Sequence, residues 1–135
     1  MKFNQLTVLA SALMLAAGAS AVADNALPPP STQTGVTYAT DIKPIFDASC
    51  IKCHSGDHAK ARLKLDALLG ALKGSKDGPV ITPGNSAESD LVKSVAHAGD
   101  DQDDWMPPLN NKPGIKPLTS DQVGLIRAWI DQGAK

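Results

Sequence analysis

DIKPIFDASCIKCH, residues 41–54, is the stretch on which the fold turns. Ile42, Ile45, Phe46, Cys50 and Cys53 recur at the spacing of one helical face. Asp41 reads as the helix N-cap. Pro44 falls inside the first turn, where a missing N–H is harmless. The first helix of the domain therefore ends by delivering two cysteines and His54 at its buried edge.

Cys50-Ile51-Lys52-Cys53-His54 is a C-x-x-C-H pattern, the attachment signature of haem c. The thiols stand within one helical turn, so both can add to the vinyl groups along one side of a porphyrin. His54 follows at once, and its imidazole can reach the iron from the same face. Two other chemistries use such cysteines. A thioredoxin-like pair opens a helix after a strand in a βαβ unit, whereas this pair closes a helix and has no βαβ pattern around it. A structural zinc site needs four ligands, and Cys50, Cys53 and His54 with His58 or His97 lack finger spacing.

A haem of this kind takes a second axial ligand from elsewhere, commonly Met or His. Met106 is the only methionine beyond the first 23 residues, and Pro107 and Pro108 follow it. Proline fixes its own φ and pushes the preceding residue toward extended backbone. Trp105-Met106-Pro107-Pro108 thus reads as a stiffened arm able to hold a weak thioether ligand. His58 lies too close to His54 to reach the opposite face. His97 is a rival, although a solvated surface histidine is its more ordinary role. Trp105 reads either as a haem contact, packing on the group or donating its N–H to a propionate, or as ordinary core, and Trp129 reads as core. Asp100, Asp101, Asp103 and Asp104 form an acidic run beside the arm. Such a run guides basic partners or simply keeps a loop solvated.

Further from the motif, Leu68, Leu69 and Leu72 suggest a short helix. Asn85 with Glu88 resembles a capping box ahead of Leu91, Val92 and Val95, predicting a helix to about residue 97. Residues 98–118 read as one long loop. Thr119 with Gln122 is a second capping box, Val123, Ile126 and Ile130 follow as a stripe, and Gly133 sits at a C-cap, so a last helix is expected over about 120–131.

Lys2 and the apolar run Leu6 to Ala17 form a signal peptide, with Ala21-Val22-Ala23 before a cut at Asp24. The run is too short to span a bilayer. The expected organisation is a signal peptide over 1–23, a flexible Pro-rich linker over 24–37 and one domain over 38–135. This implies export to the periplasm and no stable membrane insertion after cleavage. The 13 Lys+Arg against 14 Asp+Glu are near balance, which argues against nucleic acid as a partner. Five aromatic residues, one of them Phe3 in the leader, make a thin core that a buried macrocycle would complete.

The segments DIKPIFDASCIKCH, ARLKLDALLGALKG, ITPGNSAESDLVKSV, WMPPLNNKPGIKPLT and LIRAWIDQGAK resemble, in that order, the planctomycete-type cytochrome c domain of the class I cytochrome c superfamily. The likeness covers about residues 38–135. It implies covalent haem at Cys50 and Cys53, His54 as proximal ligand and Met106 as distal ligand. The family often has glycine where this chain has Ala61. The expected fold is all-α, a small cytochrome c-like domain of three to five short helices around one covalently bound haem c and its iron.

The expected function is electron transport by a monomeric monohaem carrier between redox protein partners, a dehydrogenase or an oxidase, and not catalysis. The alternatives are a haem-based gas sensor or peroxidase with an open or displaceable distal ligand, and a dedicated subunit passing electrons into one dehydrogenase.

Overall fold

The computed structural model describes residues 27–135. The signal peptide, its cleavage site and the first residues of the linker lie outside them. Among the described residues there are four α-helices and no named strand: α1 (Lys43–Ser49), α2 (Leu68–Lys73), α3 (Asp90–Val95) and α4 (Ser120–Asp131). Short 3-10 turns at Lys60–Arg62, Ser86–Glu88 and Gln102–Asp104 link them. The all-α expectation and the helix count both stand.

The chain enters α1 through a π-helical turn, Tyr38–Ile42. This moves the cap upstream of its expected place. Thr37 is the N-cap, accepting from the Thr40 N–H, while the Asp41 carboxylate accepts from the Thr37 N–H at 2.9 Å. Asp41 does serve the helix start, but from four residues inside it, because the wider turn carries its side chain back over Thr37. That bond holds the Asp41 carboxyl below its ordinary pKa.

The core is built where this turn and α1 meet α4. Tyr38, Phe46 and Trp129 form an aromatic trio with centroids 5.9–6.4 Å apart, within the range of edge-on and tilted pairs. Ile42, Ile126 and Ile130 are fully buried beside them. Trp129 is core, and its indole N–H donates to the Lys135 carbonyl at 2.9 Å. The Tyr38 backbone N–H donates to the same carbonyl at 3.0 Å. One carbonyl therefore ties the last residues to the entry of α1.

α4 begins as expected. Thr119 and Gln122 form a reciprocal capping box, and the helix ends at Asp131. Gly133 follows the Gln132 cap with φ of 102°, a conformation that glycine adopts without a Cβ penalty. The second expected box is half realised. Asn85 accepts from the Glu88 N–H, but it caps only the 3-10 turn, and α3 starts afresh at Asp90 after an extended Ser89.

Residues 27–36, read from composition as part of a flexible linker, lie along α4. Ser31 N–H donates to the Gly124 carbonyl at 2.9 Å, Arg127 donates to the Pro28 carbonyl, and Gln132 holds both Val36 and Gln33. Bonds run both ways: the Ser31 and Val36 N–H groups donate to the Gly124 carbonyl and the Gln132 side-chain oxygen, while the Arg127 and Gln132 side chains donate to the Pro28 and Gln33 carbonyls. Gly124 makes room for it: a Cβ there would stand 2.7 Å from the Pro29 oxygen.

The Tyr38 hydroxyl is a checkable strut. It is buried and donates to the Leu65 carbonyl at 2.8 Å, joining the core to the loop after His54. Tyr38→Phe removes the donor from a buried carbonyl and is expected to cost about 1–3 kcal/mol at neutral pH. Burial first, then the negative charges of Asp47 and Asp66, push the Tyr38 pKa above its usual 10.0. A folded-state pKa above the unfolded one gives stability that is complete below pH 10.0 and lost as pH rises through the folded value. The gap between wild type and Tyr38→Phe in urea unfolding should therefore narrow in strong alkali and be constant below it.

Candidate functional site: a haem-sized cavity

The attachment sequence is held by its own backbone. Cys50 caps α1 with its N–H on the Phe46 carbonyl at 2.8 Å. The Cys50 carbonyl then accepts from both Cys53 and His54, which curls the motif into a tight turn. The following loop is stitched to it: Lys60 N–H donates to the Cys53 carbonyl at 2.9 Å, and Leu65 N–H to the His54 carbonyl at 2.8 Å. This loop turns at Ala61 and Arg62, whose φ values of 52° and 57° lie in the left-handed region. Ala61 is the position where the resembled family often carries glycine. The conformation explains that preference, since a Cβ there costs about 1–2 kcal/mol.

Cys50, Cys53, His54 and Met106 all line one cavity of ≈ 530 Å³. The remaining wall is mainly apolar: Leu63 and Leu65 from the stitched loop, Val80, Leu91 and Val95 from the α3 region, and Ile115 beyond the arm. Sequence reasoning did not identify these wall residues. Asp100, Asp101 and Asp104 also line it, so the acidic run stands at the cavity rather than apart from it. Asp101 has a structural use as well, accepting from the Asp103 N–H at 2.9 Å.

His54 is 9% exposed, and its Nδ1 has no hydrogen-bond partner. Burial holds its pKa below the usual imidazole value, with the backbone of Leu63 and Lys60 pulling the other way. A buried, neutral imidazole is the form that binds iron. Burial, and then Cys53, pushes the Cys50 thiol up to about 12. That is the reverse of a thioredoxin-like cysteine, whose pKa is lowered to make a thiolate. Among the described residues no group of three or more His, Cys, Asp or Glu side chains is placed to hold a metal ion, which also leaves the zinc reading without a ligand set.

Neither His58 nor His97 lines the cavity. His97 instead turns its Nε2 to the Met106 carbonyl at 3.2 Å and stacks on Trp105, with centroids 5.0 Å apart and planes at 14°. The half-buried Trp105 keeps its indole N–H without a partner. Past the prolines, Asn111 organises the loop: it donates to the Pro108 and Ile115 carbonyls and accepts from the Ile115 N–H. An Asn among Gly and Pro residues is a general turn signal. It could have marked this residue, though not its place at a cavity wall.

The residues present fit a haem c. Two thiols, an imidazole and a thioether surround an apolar volume, the imidazole keeps a buried ring nitrogen without a partner, and the Cys50 thiol is neutral. The soft and borderline donors suit iron, and the apolar wall suits a porphyrin face. An all-α domain whose first helix runs out in this attachment turn has the architecture of a small cytochrome c.

Comparison with known proteins makes the assignment more specific. Residues 50–110, just under half of the chain, match the family described as planctomycete cytochrome C, the same family that the sequence resembles. No curated protein and no solved structure gave a match. The family match supports, at a coarse level, a c-type cytochrome with covalent haem c that carries electrons. Among the described residues no helix is long and apolar enough to cross a membrane.

Proposed function

We propose that this chain is a monohaem c-type cytochrome that carries single electrons between redox proteins in the periplasm. The observation that carries the reading is the convergence of Cys50, Cys53, His54 and Met106 on a single cavity. Bound haem c supplies one-electron chemistry through its iron. Cys50 and Cys53 hold the group covalently, so an exported protein does not lose it. His54 and Met106 would hold the iron, and Met106 held there would keep substrates off the metal. Leu63, Leu65, Val80 and Leu91 keep water from the face of the group, while the Met106 thioether favours the reduced state. Asp100, Asp101 and Asp104 give the cavity a negative border suited to a basic partner.

Two measurements on protein matured in a bacterial periplasm test this together. An alkaline pyridine spectrum should report haem c at one per chain. Reduced protein should bind carbon monoxide slowly and weakly, because Met106 must first leave. A colourless product would end the cytochrome reading. Rapid, tight binding of carbon monoxide would replace the carrier with a gas sensor or peroxidase.

A further inference from the structure

The stretch between α3 and the arm is more constrained than a surface loop requires. His97 has φ of 51°, outside the regions that non-glycine residues normally occupy. Strain of this kind persists where surrounding structure holds it and points to a role. What holds it is visible. His97 N–H donates to the Ser94 carbonyl at 3.1 Å, and the same carbonyl accepts the Met106 N–H at 3.0 Å. The His97 ring stacks on Trp105, and its Nε2 lies 3.2 Å from the Met106 carbonyl. A carbonyl only accepts, so Nε2 carries the hydrogen.

These bonds matter because Met106 has few handles. Pro107 and Pro108 have no N–H, so nothing can donate from the arm until Leu109, which is exposed. The only backbone donor and acceptor that fix residue 106 itself are its own N–H and carbonyl. The end of α3 engages both, one through Ser94 and one through His97. The side chain between those two points lines the cavity.

We propose that His97 is the positioning residue for Met106: it donates Nε2–H to the Met106 carbonyl, braces Trp105 by stacking, and so holds the thioether at the iron. This rests on the carrier reading above, in which Met106 is an axial ligand. His97 itself does not line the cavity and so acts through Met106. A thioether is a weak ligand, and the frequency with which it leaves depends on how firmly its backbone is held.

The test compares His97→Phe with His97→Gln in the haem-loaded protein. Phe keeps a ring to stack on Trp105 and loses the donor. Gln keeps a donor at the reach of Nε2 and loses the stack. Both meet the same left-handed backbone, so a difference between them does not come from strain. In His97→Phe the rate of carbon monoxide binding to reduced protein should rise about tenfold, the factor that one ordinary hydrogen bond supplies. The thioether-to-iron charge-transfer band should weaken, with covalent haem unchanged. His97→Gln should restore both toward wild type.

Unaltered binding rate and band in His97→Phe would overturn the proposal while leaving Met106 as ligand. Equal loosening in both variants would also overturn it, since the donor would then not be the cause. If wild type already binds carbon monoxide at once, the carrier reading falls and this inference with it. Should His97→Phe fail to mature, nitrogen-15 spectra of the reduced wild type decide the matter: an Nε2-protonated, exchange-protected His97 supports the latch, and an Nδ1-protonated or freely exchanging ring refutes it.

Discussion

Protein carrying both Cys50→Ser and Cys53→Ser should hold no covalent haem and should lose much of its helical structure. A serine hydroxyl does not add to a porphyrin vinyl group, so both thioether bonds are forfeited at once. The structural loss follows from where the cavity sits. Much of its wall comes from the loops at residues 61–65, 75–80 and 98–115, with α3 supplying Leu91 and Val95, around a volume of ≈ 530 Å³. Leu63, Leu65, Leu91 and Val95 line that volume and are buried among protein atoms as well, so removing its filling forfeits their packing against the group, and each methyl-sized void costs about 1 kcal/mol. A domain's whole stability is about 5–15 kcal/mol, so several of these losses decide whether it folds. Haem staining after denaturing electrophoresis reads the bond, and far-ultraviolet circular dichroism reads the fold. A stained band from the double variant would place the attachment at other residues. The aromatic trio of Tyr38, Phe46 and Trp129 does not line the cavity, so residual structure in the variant should centre there.

Met106→Ala should produce the second large effect, at the metal rather than in the fold. Met106 is half-buried, and its backbone anchors to Ser94 and His97 do not use its side chain. The arm should therefore stay in place while the thioether disappears. Loss of that ligand lowers the reduction potential, within the roughly 0.8 V range over which axial ligands tune haem iron. It also vacates the distal position, so carbon monoxide binding to the reduced protein should become fast. The stability cost should fall at or below the lower end of the roughly 2–5 kcal/mol seen for fully buried Met→Ala. Potentiometry with optical detection checks the first effect. Persistence of the thioether charge-transfer band would exclude Met106 as the ligand.

The legible parts of this molecule were the local ones. C-x-x-C-H is contiguous, and each residue's task follows from its neighbours' positions on one turn. α4 was readable to its ends because Thr119, Gln122 and Gly133 act within four residues of the helix they terminate. Asp41 was read as the N-cap, but a π-helical turn puts the cap at Thr37, four residues upstream, and leaves no mark in the apolar pattern. Asn85 and Glu88 satisfied a capping pattern that Ser89, extended at φ −84° and ψ 117°, cut short. The cavity wall was illegible for a different reason. Leu63, Val80, Leu91 and Ile115 come together only through the tertiary fold, and nothing in their local spacing distinguishes them from ordinary core. His97 shows the same limit. Its residue type suggested a ligand, and only its ring orientation reveals a contact with the arm instead.

The stretch from Pro28 to Gln33, bonded along α4, divides the molecule mechanically. No cavity-lining residue comes from that stretch or from α4. A pull applied at residue 27 would load the bonds to Arg127, Gly124 and Gln132 before it reached Tyr38 and the edge-on rings of the core. Tension entering at residue 27 would thus meet α4 before the loops that set the spacing between His54 and Met106.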